Sequence, residues 1–132
     1  MIHYGLNAYS RTSLENQIAG ATPHQLITLL LEGARSAVLQ AKIYCDKGNI
    51  AKRGEMISKA INIIDTGLNA ALDHRIAPEI SGNLARLYDY MSACLIQANI
   101  TQDTGILSEV GDLLMGLTVT WQAIDPQRRA PG

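Results

Sequence analysis

Four stretches of this chain repeat apolar residues every three or four positions, and each lies between a helix-start and a helix-stop signal. At 3.6 residues per turn, such spacing gathers the apolar side chains into one stripe that has to be buried against something. Four stripes of similar length joined by short connections make sequence neighbours into antiparallel neighbours in space. The expected fold is all-α: an antiparallel up-down four-helix bundle with an N-terminal arm or short helix.

The punctuation is specific. Thr22-Pro23-His24-Gln25 opens the first helix. The Thr22 hydroxyl can accept a backbone N–H, Pro23 suits the first position, and Gln25 can reciprocate as in a capping box. Leu26, Ile27, Leu29, Leu30, Ala34, Ala37, Val38, Ala41 and Cys45 form its stripe, and Gly48 suits a left-handed stop. That length corresponds to about 36 Å of helix. Asn49 caps the second helix, whose stripe includes Met56, Ile57, Ala60, Ile61, Ile64, Leu68 and Leu72. Gly67 within it marks a close helix approach, and residues 73–77 turn the chain.

Pro78 and Glu79 open the third helix, with Ile80, Leu84, Leu87, Tyr88, Met91, Leu95 and Ala98 inward. Thr101 or Asp103 starts the fourth, which turns Leu107, Val110, Leu113, Leu114, Leu117, Trp121 and Ile124 inward until Asp125-Pro126 ends it. Leu30, Ile57, Ile61, Ile64, Leu84, Leu87, Leu95, Leu113 and Leu117 are the expected buried core. The organisation reads as an arm over residues 1–21, a bundle over 22–125 and a disordered tail over 126–132. Residues 10–17 have the spacing of a short helix, so the first segment is either an arm lying on the bundle or a fifth packed helix.

Composition narrows the function. The 132 residues suffice for one core, and charged types make up only 17% against 47% apolar. That charged share is below the usual value of about a quarter, which points to apolar surface covered by something outside the chain. Eleven basic residues offset twelve acidic ones, giving a net charge of −1, so nucleic acid is excluded as a partner. No apolar run approaches a membrane span and the N-terminus lacks the pattern of a secretory signal, so the expected localisation is cytoplasmic, without membrane insertion. Cys45 and Cys94 lie in apolar helical stretches and read as buried thiols of a reducing compartment, although a bridge stays open.

Catalytic chemistry finds no foothold. His3, His24 and His74 are far apart, and none belongs to a Glu-x-x-His or His-Glu-x-x-His arrangement. No glycine-rich phosphate loop occurs, so no enzyme, no cofactor and no metal are expected. His24 and His74 read as surface residues. Asp65, beside Ile63 and Ile64, is expected to face solvent, or else to anchor a groove edge. Trp121 is either a plug at the bundle end or an exposed contact.

The order of these features resembles the bacterial flagellin-specific export chaperones, a family of small helical bundles. The residues that carry it are Ala19-Gly20-Ala21-Thr22-Pro23-His24-Gln25-Leu26-Ile27 and then Leu29-Leu30-Leu31-Glu32-Gly33-Ala34. In the second helix they are Lys59-Ala60, Ile63-Ile64, Leu68 and Leu72-Asp73; in the third, Leu84, Leu87-Tyr88-Asp89-Tyr90-Met91, Leu95 and Ala98-Asn99. The fourth adds Leu107-Ser108-Glu109-Val110, Leu113-Leu114 and Trp121. The match covers about residues 4–124. It departs at Leu31-Glu32, where the family often has a tyrosine before the acid, and at Gly20, where threonine is commoner.

The resemblance implies a non-enzymatic chaperone that binds the C-terminal segment of flagellin, prevents premature polymerisation and delivers it to flagellar export apparatus components. The alternative is a generic helical protein-interaction or anti-regulator module. The residues expected to meet the client are Tyr4, Tyr9 and Ile18 in the arm, Leu26 and Leu29 at its junction with the bundle, Ile63 and Tyr90. At 100° per residue Ile63 points away from Ile61, which either leaves it near solvent or makes it widen the core stripe, and Tyr90 diverges likewise from Tyr88.

Overall fold

The computed structural model describes residues 19–126. The expected contacts Tyr4, Tyr9 and Ile18, the short helix at 10–17 and most of the tail lie outside them. The described residues form α1 (Pro23–Asp46), α2 (Ile50–Asn62), a π-helical segment (Ile63–Asn69), α3 (Pro78–Thr101) and α4 (Thr104–Ala123), with no strand among them. The four-helix bundle expected from the stripes is present.

The start signals act as their chemistry requires. Thr22 Oγ1 accepts the Gln25 backbone N–H at 3.1 Å, while the Thr22 N–H donates to Gln25 Oε1 at 3.0 Å, a closed capping box. Asn49 Oδ1 accepts from the Lys52 N–H. Asp103, not Thr101, caps α4, its Oδ1 accepting from the N–H groups of Gly105 and Ile106. Gly48 sits at φ +71°, the left-handed geometry that lets the chain leave α1.

The core corrects the expected list. Ile57, Ile64 and Leu95 are fully buried, whereas Leu30, Ile61, Leu84, Leu87, Leu113 and Leu117 are half-buried around its edge. Val38, Leu68, Met91, Leu107, Val110 and Leu114 are buried as deeply as Ile64 and Leu95. Stripe positions are equivalent by spacing, but only those aimed at the bundle axis lose all their solvent. Ile80 and Ile124, expected inward, are 61% and 43% exposed because they sit at a bundle end, beyond the reach of facing helices. Cys45 and Cys94 are free and half-buried rather than buried.

The second helix is not uniform. Over residues 63–69 it widens into π geometry, a form concentrated at functional sites. Gly67 comes so close to α1 that a Cβ there would stand 3.1 Å from Leu30 Cδ2. Ile63, expected either near solvent or widening the core stripe, does the latter: it is half-buried on the core and reaches over Gly33 of α1. α2 packs against both α1 and α3, so its buried stripe is wider than one neighbour would demand. Asp65 does face solvent, with its Oδ1 accepting from Ser92 Oγ of α3 at 2.8 Å.

Candidate functional site: an apolar groove at one end of the bundle

The antiparallel order brings together the start of α1, the end of the π segment, the start of α3 and the end of α4. At that end the helices enclose a groove of about 510 Å³. Leu31 and Leu68 form its fully buried floor, at 2% and 1% exposure. Leu72 and Leu84 line the sides, and Ile76 and Ile80 stand on the rim, the former 81% exposed. The lining is almost entirely apolar, with Asp73, Ser81 and Thr120 as the polar members. A water-filled hollow of this lining is costly, so it favours an apolar occupant.

Each wall has a local cause. Pro78 starts α3 immediately after the turn, and Ser81 Oγ donates to the Asp73 carbonyl at 3.2 Å, which ties the turn to the helix it precedes. Asp73 also accepts from Arg75, which holds its carboxyl below the usual carboxylate range. Tyr88 is buried on the groove side of α3, and burial pushes its phenol up. Trp121 forms the α4 wall. Its indole lies 4.4 Å from the His24 ring at an interplanar angle of 6°, and its Nε1–H donates to the His24 carbonyl at 2.9 Å. His24 is therefore not the surface residue expected from sequence: its side chain is only 13% exposed, sheltered by that indole.

A second, more polar hollow of about 570 Å³ lies next to it, between the residues leading into α1 and the end of α4. Gly20, Gln25 and Gln122 line it together with Leu29.

The structure disperses the site residues proposed from sequence. Leu29 lines the polar hollow, and Leu26 is half-buried on α1 outside both linings. Ile63 belongs to the α1–α2 packing. Tyr90 is exposed on α3, and its hydroxyl donates to Glu109 Oε1 of α4 at 2.7 Å, which raises its phenol far above the usual range. None of these four lines the apolar groove. Sequence reasoning did not single out the rim residues Ile76 and Ile80 as candidates. Ile76 carried a signal, an isoleucine inside a turn and directly before Ala77-Pro78, where no stripe claims it.

Among the described residues no group of three His, Cys, Asp or Glu side chains could hold a metal, and no helix is long and apolar enough to cross a membrane. What the geometry offers is an open apolar surface with firm walls.

The sequence matches the family model described as flagellar protein FliS over residues 5–128. It is 44% identical to the flagellar secretion chaperone FliS of Salmonella typhimurium over 123 residues, 93% of this chain and 91% of that one. It is 41% identical to the flagellar secretion chaperone FliSB of Pseudomonas aeruginosa, over 90% of this chain and 94% of that one. The flagellar secretion chaperone FliS of Bacillus subtilis is 34% identical, over 87% and 85% of the two chains. A four-helix bundle open at one apolar end, matched along nearly its whole length by one family model and by relatives this similar, belongs to the FliS family of flagellar proteins.

Proposed function

We propose that the protein is a cytosolic flagellar secretion chaperone that binds the C-terminal segment of flagellin, keeps it from polymerising and presents it for export. The family membership supports the chaperone role. The observation that carries the binding mode is the apolar groove between the π segment, α3 and Trp121, with isoleucines standing uncovered on its rim. A client segment that is unstructured when free can order against such a surface, and its ordering cost keeps the complex reversible. Release then needs no hydrolysis, only transfer to export apparatus components. The arm residues Tyr4, Tyr9 and Ile18, with Leu26, Leu29, Ile63 and Tyr90, are proposed as further client contacts.

The test compares full-length flagellin with flagellin trimmed of its C-terminal segment, each mixed with the protein and resolved by size-exclusion chromatography. A complex with the full-length form alone is expected. Equal complex formation by both would remove the C-terminal assignment, and none with either would remove flagellin as the client.

A further inference from the structure

His24 and Trp121 are 97 positions apart and joined by three separate contacts. The rings stack in parallel, the indole N–H donates to the His24 carbonyl, and His24 Nε2 stands 2.7 Å from the Trp121 carbonyl. A carbonyl only accepts, so Nε2 carries the proton. The Trp121 carbonyl lies in the last turn of α4 and also accepts from the Ile124 backbone N–H at 3.3 Å, so the imidazole is a second donor to it, from another helix. His24 Nδ1 is buried, has no hydrogen-bond partner among the described residues, and faces the Asp125 carboxylate with 3.9 Å between Nδ1 and Oδ2. The first turn of α1 is thereby clasped to the last turn of α4.

We propose that His24 is a positioning residue for client binding. By holding the indole through its ring face, its N–H and its backbone, the clasp keeps Trp121 standing as a fixed wall of the apolar groove. An isolated indole at the end of a helix has free χ angles, and binding would have to order it; a wall already held does not incur that cost. The proposal rests on the reading of the groove as the client site. It adds that a residue outside the groove lining sets the groove's shape. A hydrogen bond to an accepting carbonyl is something glutamine can imitate with its amide, whereas alanine cannot.

The experiment uses the full chain and a synthetic peptide of the flagellin C-terminal segment, titrated calorimetrically against wild type, Ile80→Glu, His24→Ala and His24→Gln. Helicity and emission of Trp121, the single tryptophan, are recorded on each free protein. His24→Ala is expected to keep native helicity, shift the emission to longer wavelength and lose about tenfold in affinity, with His24→Gln between it and wild type. If Ile80→Glu loses affinity while His24→Ala retains it with unchanged emission, the clasp is a helix fastening only and the proposal is overturned. If wild type binds and neither Ile80→Glu nor His24→Ala binds more weakly, the groove reading itself fails and takes the proposal with it. Should His24→Ala lose helicity, His24→Gln decides: weaker binding with a shifted emission supports the clasp, and unchanged values in both overturn it.

Discussion

Arg53 shows how one side chain shapes the far end of the bundle. It is 5% exposed, yet no carboxylate among the described residues pairs with it. Its Nε donates to Asn99 Oδ1 at 2.9 Å and its Nη2 to the Asn99 carbonyl at 3.1 Å, so one asparagine of α3 answers a buried cation of α2. Asn99→Ala removes the first of these and leaves the charge under-solvated, which should cost about 1.5–3 kcal/mol in urea denaturation. Arg53→Met removes the charge as well as its need for partners and should cost less than Asn99→Ala. An equal or larger loss from Arg53→Met would show that the guanidinium stabilises by more than its hydrogen bonds. Tyr88 makes a second prediction. Burial raises its folded pKa above the unfolded value, so its full contribution is present below the unfolded phenol pKa and is lost as pH rises through the folded one. Tyr88→Phe should therefore flatten the alkaline arm of a stability–pH profile while leaving the neutral region's slope unchanged. An unaltered alkaline arm would refute this.

Among the elements, those with a chemical start signal were legible and those shaped by their neighbours were not. The capping box of Thr22 and Gln25, the Asn49 cap and Pro78 each satisfy or omit a specific backbone N–H, a local matter that short sequence decides. The π segment answers to α1 and α3 together, through Gly67 against Leu30 and Asp65 accepting from Ser92, and no window of α2 contains those partners. For the same reason the spacing left Ile63 open between solvent and a wider core stripe, and contact with the core decides for the stripe. Trp121 was recognised as either plug or contact, and it took the position of His24 to make it a groove wall. At the end of α3, Gln102 adopts φ +56°, a left-handed geometry that disfavours a side chain bearing a Cβ. Gln102→Gly should stabilise the protein by up to about 1 kcal/mol, seen as a higher midpoint in thermal or urea unfolding. A lower midpoint would show that the glutamine side chain does more there than cap the helix.

At the scale of the whole molecule, a fully buried core and an open apolar end coexist. Leu95, Leu107 and Leu114 lose all contact with water, and truncating any of them to alanine should cost about 2–5 kcal/mol. Ile76 and Ile80 keep most of theirs, and this unequal burial is why a low charged fraction in the sequence pointed beyond the chain. The bundle is thus folded by one apolar surface and equipped with another, which a flagellin segment is proposed to cover. The most direct measurement places a photo-crosslinking amino acid at position 80 on the groove rim, and in a second protein at position 52, an exposed site at the start of α2. After irradiation with flagellin, position 80 should link to the client's C-terminal segment and position 52 should not. Linkage from position 52 with none from position 80 would contradict the account and move the client to the other end of the bundle.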